Sequence, residues 1–240
     1  REGNGTTNAN EVLGTGRGGV GIYAETFSGD IHITAGSAVG VGDNQQGIYA
    51  TSETGDVTVD VGIARAEGTF SQAITAFSYA GDGDVTINAG VVSAEGDYVA
   101  GIYAAVYTGD ININAVVVAV NTIAGRGILA ANDTGNVNLN VNYVSTTGDE
   151  TRAIDVISFG DVSIISSDTV GTFGNYADAI NVMSGKSTTI DTGRIYTYGE
   201  GATGIYVVGD SVTIDAHIIE AHGNYGSAMN GGATNDVVVA

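Results

Sequence analysis

Carboxylates recur in this chain at one fixed place. Asp30, Asp56, Asp84, Asp110, Asp161 and Asp210 each follow a glycine, Asn136 takes the same place once, and Gly185-Lys186 replaces the pair once. Carboxylates stacked in a column would offer clustered oxygen ligands to a hard cation such as calcium, which makes Asp56, Asp84 and Asp110 the candidate ligands. Asp behind Gly in a turn also has a simpler role, accepting hydrogen bonds from nearby backbone N–H groups. The calcium-binding nonapeptide pattern Gly-Gly-x-Gly-x-Asp is missing. We therefore read the column as turn chemistry and expect no metal.

Tyr23, Tyr49, Tyr103 and Tyr206 share a second recurring place, the third residue of Gly-Ile-Tyr-Ala and its relatives. Joined by Tyr79, Tyr98 and Tyr107, they could form a stacking strip for a sugar or a protein. Aromatic residues in register also stabilise a solvated sheet face without any ligand. Thr75, Asp155 and Asn181 interrupt the column, which weighs toward the second role.

Other chemistry is thinly represented. His32, His217 and His222 lie in two distant parts of the chain. On one strand positions 217 and 222 point to opposite faces, so His217, Glu220 and His222 make a poor metal set. There is no Gly-x-Ser-x-Gly elbow and no phosphate-binding glycine loop. We expect no catalytic residue, no cofactor and no enzyme activity. Outward Thr-x-Thr pairs, which would fit ice, are broken by His32, Asp60, Asn88, Asn112 and Asp215.

The elements that must position these residues come from a repeat. Gly21-Ile22-Tyr23-Ala24 is followed by Gly29-Asp30-Ile31-His32-Ile33, and the pair returns at Gly47 and at Gly101, with weaker copies from Ala73, Gly127, Ala153, Ala179, Gly204 and Ala228. A period of about 26 residues held this long marks a stacked repeat. Each unit holds three short runs in which Ile, Val or Ala alternates with polar residues, and such alternation is strand patterning. Ile22, Ile48, Ile74, Ile102, Ile128, Ile154, Ile180 and Ile205 should stack inside. Glycine marks two corners, the second at Gly42, Gly68, Gly96, Gly125, Gly148, Gly174, Gly199 and Gly223. The pattern predicts an all-β chain: a right-handed parallel β-helix of about nine coils, three short strands to a coil. Residues 1–20 are predicted as a degenerate first coil or lead-in, and 21–240 as one β-helix domain.

Composition narrows the partners. Seven basic against 27 acidic residues give a formal charge of −20, which repels nucleic acid and anionic lipid alike. With no cysteine there is no disulfide and no thiolate site. No apolar run is long enough to span a membrane as a helix.

The repeat Gly-Ile-Tyr-Ala…Gly-Asp-Val-Thr-Val…Gly resembles the passenger segments of bacterial autotransporters and related secreted β-helical adhesins. The resemblance covers Gly21 to about Asn235 and implies export to, or release from, the outer-membrane surface of a Gram-negative cell. It is a likeness of coil type and carries no functional residues with it. The reading that follows is a structural or adhesive surface rod, with further coils or other copies of the same chain, surface glycans or proteins as partners. The alternative is a carbohydrate-active β-helix enzyme or a carbohydrate-binding module of the phage tail-spike kind. The final run Asp236-Val237-Val238-Val239-Ala240 leads us to expect that more coils or a second copy continue the stack.

Overall fold

A computed structural model describes residues 4–239, with the backbone alone for Asp236 and Val237. Two series of strands alternate along the chain. The long ones are β1 (Gly5–Thr15), β3 (Ile31–Val41), β5 (Val57–Glu67), β7 (Val85–Glu95), β9 (Ile111–Asn121), β11 (Val137–Thr147), β13 (Val162–Phe173) and β15 (Ser187–Tyr198). The short ones are β2 (Val20–Thr26), β4 (Gln46–Ser52), β6 (Gln72–Ser78), β8 (Ala100–Val106), β10 (Arg126–Asn132), β12 (Arg152–Ser158) and β14 (Asp178–Ser184). A short and a long strand merge in β16 (Thr203–His222), and β17 (Ser227–Val239) lies along it.

Every strand pairs in parallel with its equivalent one coil away. Ile22 faces Ile48, a step of 26 residues, and Ile74 faces Ile102, a step of 28. The two extra residues go into the Ala80–Gly83 stretch at a corner, outside the ladder. The chain is thus a parallel β-solenoid of about nine coils. Gly5–Thr15 is laid on β3 from Gly5↔Ile31 to Thr15↔Val41, so the glycine-rich start serves as a first coil.

The three apolar runs of each coil are all present, and the second and third share one ladder. In β3, Ile31, Ile33 and Ala35 point inward, then Ala38 and Gly40 do. The step of three from Ala35 to Ala38 swaps inside for outside and turns the strand through a corner without ending its pairing. The core is consequently a set of aliphatic columns. Ile48, Ile74, Ile102, Ile128 and Ile154 are wholly buried in one, and Val59, Ile87, Ile113, Leu139 and Ile164 in another. No single coil could bury such residues; each coil covers its neighbours.

Both corners keep hydrogen-bonded contact between coils. At the corner after β4, β6, β10 and β12 a buried column of Ser52, Ser78, Asn132 and Ser158 holds the turn from inside, with Val106 in the same place after β8. Ser52 Oγ donates to the Gly29 carbonyl of the preceding coil at 3.0 Å and accepts the Gly55 N–H of its own turn at 2.8 Å. At the corner after each long strand, Gly42, Gly68, Gly96, Gly148, Gly199 and Gly223 take positive φ. Gly125 does not belong to this column. Pairing of Asn121 with Glu95 and Thr147 places Thr122 there instead. Gly125 sits three residues later, where a Cβ would collide with the Thr122 side chain. A similar slip corrects the Asp column: β15 pairs Ser187 with Ser211, which leaves Lys186 and Asp210 one residue out of register with it.

Candidate contact surface

The Gly-Asp column runs along the first corner as a ladder of caps. Asp30 Oδ1 accepts the backbone N–H of Asp56 at 3.1 Å, Asp56 that of Asp84 at 2.9 Å, and Asp84 that of Asp110 at 2.7 Å. Asp110 and Asn136 continue it to Asn136 and Asp161. Each carboxylate therefore satisfies a turn N–H of the next coil rather than of its own turn. Asp43 and Asp149 do the same at the other corner for Thr69 and Asn175. Among the described residues no group of three or more His, Asp or Glu side chains is placed to hold a metal ion. Excess chelator should leave the thermal midpoint unchanged. A large drop would promote Asp56, Asp84 and Asp110 from caps to ligands.

The tyrosine column is in register as read: Tyr23, Tyr49, Thr75, Tyr103, Leu129, Asp155, Asn181 and Tyr206 face one another in sequence. The interrupting residues are not open gaps, because Thr75, Asp155 and Asn181 are buried on this outer face. The tyrosines pack together. Tyr23 stacks on Tyr49 with ring centres 5.2 Å apart, and Tyr103 meets the edge of Phe77 at 4.7 Å. Tyr79 packs on Phe77, and burial, followed by its neighbour Tyr49, pushes the Tyr79 phenol well above its ordinary value. Tyr98 is not brought to this strip; it stacks on Phe70 at the opposite corner. Phe173, Tyr198 and His222 form a third stack at 5.3 and 4.7 Å. Each ring of such a pair spends one face on its neighbour, which reduces the open face a sugar would need. His222 and Glu220 lie side by side at 3.9 Å, while His217 does not join them.

Asp155, which interrupts the tyrosine column, is a buried charge. Only 2% exposed, it accepts from Arg126 Nε at 2.8 Å, Arg152 Nη1 at 2.9 Å and Asn181 Nδ2 at 2.7 Å, tying three coils together. Burial alone would raise its pKa, but Arg126, Asn181 and Arg152 outweigh burial and hold it below the usual carboxylate range. A depressed folded pKa adds stability that is present above the unfolded value near pH 4 and lost as pH falls through the folded one. Acid titration of stability should therefore be shallower below about pH 4 in Asp155→Asn than in the parent. At neutral pH that variant should lose on the order of 2 kcal/mol, since its arginines are partly solvated and a fully buried broken pair costs more. Identical acid limbs for the two proteins would refute the assignment.

All 17 aromatic side chains, 12 Tyr and 5 Phe, lie outside the aliphatic core. Exposed rings that join no stack occur at both corners: Tyr176 and Tyr225 at the second corner are 61% and 89% exposed, and a longer set lines the first. Immediately after the short strands, the first corner presents Phe27, Glu53, Tyr79, Tyr107, Asp133 and Phe159 on successive coils. Their order follows from the N–H groups of Glu53, Tyr79, Tyr107 and Phe159, which bond Thr26, Ser52, Ser78 and Asn132 of the preceding coil. Phe27, Tyr79, Tyr107 and Phe159 are more than half exposed. Phe27, Tyr107 and Phe159 stack on no other ring among the described residues. Sequence reading missed this edge because no motif marks it; its signal is one aromatic or acidic residue three places after the inward Ala or Val. On the far face a shallow trough of about 220 Å³ is lined by Arg65, Ser93, Glu95, Ala119, Asn121 and Ser145. Glu95 is the single carboxylate among its lining residues, whereas glycoside hydrolysis uses a facing pair.

These features define a β-solenoid whose core columns are aliphatic and whose outside carries every ring. Comparison with protein-family models, curated proteins and solved structures finds no match for the chain.

Proposed function

We propose that this chain is a structural or adhesive rod that works by surface contact. The observation that carries the reading is the partition of side chains: rings contribute nothing to the core columns, and four of them stand along the exposed edge of the first corner. Exposed aromatic groups are costly to keep in water and are over-represented where proteins meet partners. A stack of similar coils gives such an edge length and stiffness. The likeness of the repeat to autotransporter passengers, with the charge of −20, supports display on a Gram-negative outer surface or release from it. Carbohydrate recognition is the second reading, favoured by the trough into which Ser93, Asn121, Ser145 and Thr147 bring polar groups, with Tyr196 hydrogen-bonded to Ser145. The phenol of Tyr196, pushed up to about 12 by burial and by Tyr143 beside it, stays neutral and able to donate.

Displaying the chain on a non-adherent cell and counting cells retained under flow on glycoprotein-coated glass tests the proposal. Retention above the undisplayed control is expected. Retention equal to that control would overturn it, and loss of retention after enzymatic deglycosylation of the glass would favour the carbohydrate reading.

A further inference from the structure

The exposed corner contains a built depression. On the outer face of the short strands Phe77, Ala105, Ala131 and Ile157 face one another in register, so two small residues lie between two large ones. The resulting hollow of about 180 Å³ is floored by Ala105 and Ala131 and edged by Tyr79, Tyr107 and Asp133. Tyr107 stacks on no other ring among the described residues, so its face is not spent on a neighbour. No ion pair among the described residues includes Asp133. No lysine or arginine borders the hollow. An aromatic wall, a methyl floor and a carboxylate without a cationic partner are what an alkyl chain ending in a positive charge requires: the chain covers the alanines, and the charge meets the ring and the carboxylate.

We propose that this hollow binds a cationic side chain, lysine or arginine, of a partner protein. The proposal rests on the contact reading above, which it deepens by naming the partner chemistry. It also accounts for Glu53 and Asp133 interrupting the rings of this edge. A row of bare rings would attract any apolar surface, whereas a ring beside a carboxylate rejects neutral and acidic ones.

The test uses the full chain and N-acetyl-lysine methylamide as probe, followed by NMR shifts of the Ala105 and Ala131 methyl groups and the Tyr107 ring. Saturable shifts confined to these groups are expected. The side-chain-acetylated probe, which has no charge, should give none. Tyr107→Leu and Asp133→Asn should each weaken the response at least about fivefold, while Phe159→Leu, two coils from Tyr107, should not change it. Shifts spread along the Asp30–Asp161 column, equal shifts with the neutral probe, or no saturable shift would each overturn the proposal. Confined shifts without cell retention would instead refute the adhesive reading and leave the pocket standing.

Discussion

Gly148→Ala should be among the most damaging single changes in the chain. Gly148 has φ +122°, a conformation that L side chains rarely adopt, and a methyl group there would overlap the Thr122 carbonyl oxygen of the preceding coil. The obstacle is backbone and belongs to the ladder, since Thr122 N–H donates to Thr147 O at 2.8 Å. Backbone strain alone costs about 1–3 kcal/mol, and separating the coils adds lost pairing. We expect a loss of more than about 3 kcal/mol. Gly232→Ala is the control: it has negative or extended φ and nothing within 4 Å of the added methyl, so it should move stability by no more than about 0.5 kcal/mol. Denaturant melts that place both variants together would show that the corner is not built as described.

The second large effect is expected at Ile102. It is wholly buried between Ile74 and Ile128, and its methyls have no solvent to reach. Ile102→Ala should cost on the order of 2–5 kcal/mol, the range for a buried aliphatic side chain cut to a methyl. One residue on, Tyr103→Ala removes a larger side chain from the outer face, where it meets the edge of Phe77. That should cost about 1 kcal/mol, the worth of an aromatic pair. The smaller truncation should thus do the greater harm. Equal losses in urea melts would invert the inside and the outside of the solenoid.

The sequence made the stack legible because burial in a solenoid is periodic twice over, every second residue along a strand and every 26 along the chain. Ile22 through Ile205 declare both periods, and the pairing follows their register. What escaped depends on neighbours in space that no period announces. Asn44, Phe70, Tyr98, Ala124, Glu150, Tyr176 and Tyr225 all adopt positive φ between 53° and 60°. No residue preference unites them. The ladder unites the first six, because their N–H groups reach the next coil, as from Phe70 to Asp97 O at 2.9 Å. A single replacement also misled: Gly125 looked like a corner glycine until the register put Thr122 in its place. Asp155 was hidden for another reason, since its burial comes from arginines on its own and the preceding coil.

The same logic divides the candidate surface. Tyr23, Tyr49 and Tyr103 were visible as a column, and Asp56, Asp84 and Asp110 as another. Whether a column meets a ligand or only itself depends on ring faces and carboxylate oxygens, which letters do not record. Tyr23 on Tyr49 and the Asp caps on backbone N–H groups are inward-looking in that sense. The Phe27–Phe159 edge is not, and the proposed function stands on that contrast.

The most direct measurement removes that edge and asks two questions of one protein. In a variant carrying Phe27→Ser, Tyr79→Ser, Tyr107→Ser and Phe159→Ser, the thermal midpoint and the retention of displaying cells are measured side by side. A midpoint within a few degrees of the parent is expected, because none of the four rings belongs to the core, together with loss of most of the retention. A collapsed midpoint would make the rings structural. Retention at the parent level, with the fold intact, would contradict the claim that this edge is where the rod makes contact.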